Sequence, residues 1–205
     1  IRRGKPSMHM VFAGNPGTAK TTVARLFAEI MGDEKILPTG KFVEVGRADL
    51  VGTHVGATAP RVKSKFREAQ GGILFIDEAY YLAGQEGASN SFGSEAVGTL
   101  LKRMEDDRGK FVVIAAGYQN EMQNFLRMNP GLDSRFGYKI HIEDYSADEL
   151  FKILQLQMKK SQFVFSSNDK SEAIAQNAVQ ELCKNKTKDF WLFIFERPNI
   201  DCRKS

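Results

Sequence analysis

Five short apolar runs punctuate the chain: Met8–Ala13, Lys41–Val45, Ile73–Ile76, Phe111–Ala116 and Tyr138–Ile142. Each is about the length of one strand. The run before Asp77 is unbroken instead of alternating, which predicts a parallel strand buried on both faces. Between the runs, apolar positions recur at helical spacing over Lys20–Met31, Pro60–Gln70, Ser94–Asp106, Glu121–Met128 and Ala147–Lys160. Strand and helix thus alternate. That order predicts a three-layer α/β fold, a parallel sheet with helices on both faces. Turn signals separate the elements: Pro38-Thr39-Gly40, Gly71-Gly72, Arg108-Gly109 and Asn129-Pro130-Gly131. Ser146 caps the fifth helix, and Asp148 and Glu149 lie in its first turn, where negative charge is favoured. After Tyr145 strands give way to helices. A boundary there predicts an α/β domain over 1–144 and a small helical domain over 145–205.

Composition narrows the class. With 205 residues, 42% of them hydrophobic, the chain can bury a proper core. The net charge of +4 comes from scattered Lys and Arg, with no basic stripe, so no nucleic-acid partner is expected. No apolar stretch is long enough to span a bilayer, and no membrane partner is expected. The two cysteines, Cys183 and Cys202, read as bystanders in a reducing compartment, which implies the cytoplasm. No signal peptide is visible, and a start at Ile1 without Met suggests a fragment lacking upstream sequence.

Candidate chemistry sits where two apolar runs end. After Met8–Ala13 comes Gly14-Asn15-Pro16-Gly17-Thr18-Ala19-Lys20-Thr21-Thr22, opening a helix. It fits the phosphate-binding pattern G-x-x-x-x-G-K-[ST] except that Ala19 replaces the second glycine. Backbone N–H groups at a helix start point at a phosphate and the helix dipole favours its charge. In that reading Asn15, Pro16, Gly17, Thr18, Ala19, Lys20, Thr21 and Thr22 cradle ATP. Lys20 reaches the β- and γ-phosphates, and the Thr21 hydroxyl ligates Mg2+. Ala19 is expected at a negative, helical φ, which an alanine tolerates. The second site follows Ile73–Ile76: Asp77 holds Mg2+, and Glu78 orients and deprotonates the attacking water. A carboxylate pair at the end of a buried parallel strand stands where open α/β sheets bind ligands.

Taken together these stretches resemble the AAA+ ATPases of the CbbX/CfxQ group, which includes the stage V sporulation protein K type, and the ATPase domain of the EccA secretion proteins. The resemblance rests on His9-Met10-Val11-Phe12 with the phosphate loop, Ala48–Gly52 with Val55–Pro60, Gly71–Leu82, Ala115–Tyr118 and Asn129–Phe136, and spans Ile1 to about Lys160. It implies a P-loop NTPase fold followed by a helical lid. It also implies roles for further residues. Tyr118 takes the place of the polar sensor, with Asn120 as alternative; packing of the strand end is an equal reading of Tyr118. Arg135 matches the arginine finger that reaches the ATP of a neighbouring subunit, an exposed surface Arg being the other reading. Val51–Gly56 resembles the first pore loop, with His54 where an aromatic usually stands; a plain exposed loop is the alternative. His9 and His141 are expected to be structural. Ala83–Gly93 reads as a mobile loop, either a second pore loop or plain disorder. The lid departs from the pattern: its second sensor is missing, replaced by the apolar run Trp191–Phe195 before Glu196-Arg197-Pro198.

The expected activity is Mg-dependent ATP hydrolysis that remodels a protein client, by a ring of identical subunits, a hexamer. The client is not legible. The alternative is a nucleotide-gated scaffold with little hydrolysis, favoured by Ala19, His54 and the missing sensor.

Overall fold

A computed structural model describes residues 7–83, 91–162 and 170–184. Five strands form one parallel sheet in the order β2-β3-β4-β1-β5. They are β1 (Met10–Ala13), β2 (Phe42–Val45), β3 (Ile73–Ile76), β4 (Val112–Gly117) and β5 (Tyr138–His141). The helices are α1 (Lys20–Asp33), α2 (Arg47–Leu50), α3 (Thr58–Glu68), α4 (Ser91–Asp106), α5 (Gln119–Arg127), α6 (Pro130–Arg135), α7 (Ala147–Lys160) and α8 (Lys170–Lys184). A 3-10 turn, Ala79–Ala83, follows β3. All five expected strands and all five expected helices are present, α7 with the expected bounds. Three elements were not expected, α2, α6 and the 3-10 turn, while α8 lies in the stretch expected to be helical without having been given bounds. The first two are too short to show an amphipathic period. Part of the expected mobile loop is also ordered, since Ser91–Gly93 open α4 and Ala83 ends the 3-10 turn.

The pleat sends alternate residues to two cores. Val11, Val43, Val45, Leu74, Ile76, Val113 and Ala115 meet Val62 and Phe66 of α3, Leu100 and Met104 of α4 and Phe125 of α5. Met10, Phe12, Ile73, Phe75, Val112, Ile114 and Ala116 meet Ala24, Ala28 and Met31 of α1. Central strands β3 and β4 are buried throughout, which is why they read as unbroken apolar runs. Edge strand β5 is exposed on both faces.

His9, just before β1, ties two strands: its Nδ1 accepts the Val113 N–H at 2.9 Å. The ring is 1% exposed and stacks on Phe111. Burial lowers its pKa to about 4; the Met104 backbone opposes this, and the positive charges of Arg108 and Arg135 add to it. The ring is therefore neutral and structural, as expected for His9.

Among the described residues, those up to Asn15 group with those of 19–142 in one compact unit, and Pro16–Thr18 group with those from Glu143 on in another. In the second, α7 and α8 bury Leu150, Phe151 and Val179 together, and Gln155 Nε2 donates to Glu172 Oε1 at 2.7 Å. Ser146 caps α7: its Oγ accepts from the Glu149 N–H, and its own N–H donates to Glu149 Oε2 at 2.8 Å. The apolar run Trp191–Phe195, Arg197 and Cys202 lie outside the described residues.

Candidate nucleotide site at the strand ends

The parallel sheet places the C-terminal ends of β1, β3 and β4 along one rim. Each carries a sequence-predicted residue. From β1 the loop Gly14–Ala19 leads into α1, and the Gly14 N–H donates to the Gly117 carbonyl at the end of β4 at 3.2 Å. Lys20, the first residue of α1, is buried, and its Nζ donates to the carbonyls of Gly14 at 3.0 Å and Asn15 at 2.8 Å. The ammonium thus holds the loop that leads into its own helix. Thr21 and Thr22 continue the first turn. That turn holds no acidic residue, and no side chain caps it. A helix start of this kind, with its N–H groups and dipole, suits an anion.

Ala19 is the main departure from expectation. It is the N-cap of α1 at φ 59°, ψ 28°, a left-handed conformation. The expected negative φ is wrong because the residue before the lysine stands outside the helix and turns the chain into it. Gly17, with φ 72°, makes the preceding reversal. Glycine adopts this region freely; an L-residue there is strained by about 1–2 kcal/mol.

At the end of β3, Asp77 and Glu78 share a tight turn. The Asp77 N–H donates to the Val45 carbonyl at 2.9 Å, extending the β2–β3 ladder. Its Oδ1 accepts the Glu78 N–H at 3.1 Å. Glu78 is held at φ 48°, a second left-handed residue in the rim. Its Oε2 is buried without a hydrogen-bond partner among the described residues. Burial raises its pKa to about 7, helped by the charge of Asp77 and more weakly by Glu121, and opposed by Lys20. Near neutral pH this carboxyl can both give and take a proton.

Tyr118 follows β4 and is the N-cap of α5. Lys20 Nζ lies 5.7 Å from its ring centroid, and the Tyr80 ring stacks with it at 6.0 Å between centroids. Burial raises the phenol pKa, followed by the charges of Glu78, Tyr81, Glu121 and Asp77. The hydroxyl therefore keeps its proton and is a donor. Asn120, the alternative sensor, is two residues further on, in the first turn of α5, and exposed. Lys20, Asp77, Glu78 and Tyr118 are thus one electrostatic cluster. Sequence reasoning missed two of its members, Tyr80 and Glu121, whose approach depends on how the 3-10 turn and α5 pack.

Arg135 is not part of that cluster. It ends α6, and its carbonyl accepts from Ser7 Oγ at 3.1 Å, at the opposite end of β1 from Gly14. Seven residues of extended chain separate those ends by about 20 Å. Its guanidinium pairs instead with Glu105 at 2.7 Å.

The predicted pore loop joins α2 to α3. Arg61 Nη1 braces its start, donating to the carbonyls of Ala48 and Val51. The Gly52 N–H donates to Thr58 Oγ1 at 3.0 Å. His54 is exposed beside Thr53, and its neighbour Val55 is 88% exposed. Among the described residues Val55 is the most exposed large hydrophobic side chain.

Known proteins place this arrangement. Residues 10–144 match the model of the "ATPase family associated with various cellular activities (AAA)". The chain belongs to this AAA family. It is 45% identical over 166 residues to stage V sporulation protein K of Bacillus subtilis, covering 81% of this chain and 51% of that protein. It is 45% identical over 171 residues to the chromosomal CbxX of Cupriavidus necator, covering 83% and 53%. To CbbX of Cereibacter sphaeroides it is 47% identical over 148 residues, covering 72% and 48%. These are the CbbX/CfxQ-like proteins that the motifs resemble. The chain spans about half the length of these relatives.

The residues present fit a nucleotide with a magnesium ion. The start of α1 offers amides, Lys20 offers a cation, and among the described residues the buried Glu78 Oε2 has no hydrogen-bond partner. Among the described residues no group of three or more His, Cys, Asp or Glu side chains could hold a metal. Magnesium bound with a nucleotide needs no such cage, because one or two protein oxygens, phosphates and water complete its shell. Among the described residues no helix is long and apolar enough to cross a membrane.

Proposed function

We propose that this chain is the ATP-hydrolysing part of an AAA+ remodeller that acts on a protein client as a ring of identical subunits. The observation carrying the catalytic part is the rim cluster: Lys20, Asp77, Glu78 and Tyr118 meet at the ends of three neighbouring strands. Lys20 exchanges its loop carbonyls for phosphate oxygens. Backbone N–H groups at the start of α1, from Ala19 to Thr22, bind the phosphates. Thr21 and Asp77 hold Mg2+, which when bound neutralises phosphate charge. Glu78 orients water and takes its proton, and its raised pKa suits a general base near neutral pH. The Tyr118 hydroxyl donates towards the reacting oxygens.

Arg135 supports the ring. It stands at the far end of the sheet from its own Lys20, so in this reading its guanidinium serves transition-state charge at the site of a second copy. The loop bearing His54 and Val55 contacts the client. The second reading, a nucleotide-gated scaffold with little hydrolysis, is favoured by one observation: Ala19 holds the phosphate loop in a strained conformation. Steady-state phosphate release against protein concentration separates the two. The remodeller rises more than linearly as rings form, and mixing Lys20→Ala with Arg135→Ala subunits restores part of the activity. Strictly linear release with no rescue on mixing means that the site is completed within one chain. Tight ATP binding with negligible release at every concentration supports the scaffold.

A further inference from the structure

We infer that Glu105 is a positioning residue for the reaction, holding the Arg135 guanidinium in the orientation from which it serves a neighbouring subunit; this rests on the role proposed for Arg135. Glu105 lies in the last turn of α4. Its Oε2 meets Arg135 Nη2 at 2.7 Å and also accepts from Arg108 Nε at 3.1 Å and Nη2 at 2.7 Å. One carboxylate oxygen thus links the helix that carries Arg135 to the turn after α4.

The backbone is fixed as well. Asn129 Oδ1 caps α6 by accepting the Gly131 N–H at 2.8 Å, and Gly131 lies against Leu101 so closely that a Cβ would stand 3.1 Å from that side chain. Ser7 Oγ fixes the Arg135 carbonyl. Packing encloses Nε, which is buried without a partner among the described residues. The stem is therefore gripped, while the charged head, in a side chain 29% exposed, is directed by Glu105. Partly exposed ion pairs add little stability, so the pair matters for geometry more than for the fold. Misplacing a reacting group by about 1 Å can slow catalysis about a hundredfold.

The test uses the full chain under conditions where phosphate release depends on protein concentration. Glu105→Ala lowers turnover at saturating Mg-ATP at least about tenfold, and Glu105→Gln, which keeps an acceptor oxygen without the charge, falls between it and the parent. ATP affinity of the subunit's own site and the melting temperature stay near the parent values. Adding Lys20→Ala subunits, which carry an intact Glu105–Arg135 pair, restores turnover. The Glu105→Ala/Arg135→Ala double variant is no slower than Arg135→Ala. Parent turnover in Glu105→Ala overturns the inference, as does a loss matched by weaker ATP binding, or a double variant slower than Arg135→Ala. If Arg135→Ala itself turns over normally, the proposed role of Arg135 fails and the inference with it. A slow Arg135→Ala beside a normal Glu105→Ala rejects the inference alone. Should Glu105→Ala fold poorly, Glu105→Gln with the mixing experiment decides by the same criteria.

Discussion

Replacing Ala19 by glycine should stabilise the nucleotide-free protein, although glycine at a helix start normally weakens it. Two terms set the sign. Ala19 sits at φ 59°, ψ 28°, where an L-residue is strained by about 1–2 kcal/mol. Glycine removes that strain but gives the unfolded chain more freedom, which costs about 0.4–1 kcal/mol. Because Ala19 is the N-cap and not an interior residue, the helix-propensity penalty of glycine does not apply. The net gain is about 0.5–1 kcal/mol, or roughly 1–4 °C in melting temperature for a chain of this size. Ala19→Val is the counter-test: a β-branched side chain fits the left-handed region worse than alanine and should lower the melting point. Melts in EDTA without nucleotide read both variants. A lower melting temperature for Ala19→Gly than for the parent would refute the reasoning and put Ala19 back in the helical region.

Three further outcomes follow from buried groups. His9 has a folded pKa near 4 against 6.5 unfolded, so below about pH 6.5 only the unfolded state takes up its proton. Stability should fall by about 3 kcal/mol as pH drops from about 6.5 to 4, and His9→Asn, which can still accept the Val113 N–H, should flatten that slope in urea titrations. Glu78 has the opposite sign: its folded pKa is raised from 4.5 to about 7, so its contribution is present below pH 4.5 and lost as pH rises through 7. In EDTA without nucleotide, Glu78→Gln should match the parent at pH 4.5 and melt higher at pH 8, by less than the full shift implies because solvent screens a half-buried carboxylate; equal melts at pH 8 would contradict its raised pKa. Gly72→Ala should destabilise by about 2–4 kcal/mol, since its Cβ would stand 2.2 Å from the Lys41 carbonyl that pairs with Ile73; an unchanged urea midpoint would contradict the β2–β3 register.

Much of the fold was legible because burial on both faces leaves strands as unbroken apolar runs. β3 and β4 are the clear cases. The cap at Ser146 and its acidic first turn located α7 to the residue. The rim residues were legible too, because loop and carboxylates directly follow strands. What escaped was conformation and pairing across long separations. Nothing local marks the left-handed backbone of Glu78, and at Ala19 the local reading was wrong. The tie between His9 and Val113 spans 104 residues, and the grip of Glu105 on Arg135 depends on how α4 and α6 pack. The short helices α2 and α6 gave no periodic signal, and α6 was hidden inside a turn motif.

The central claim, that Lys20 holds the phosphates and Glu78 activates water, is tested most directly by measuring ATP binding and phosphate release side by side in Glu78→Gln. The account predicts Mg-ATP affinity within a few-fold of the parent and turnover lower by about a hundred- to ten-thousand-fold. Parent-like turnover in Glu78→Gln, or loss of binding in step with loss of turnover, would contradict it.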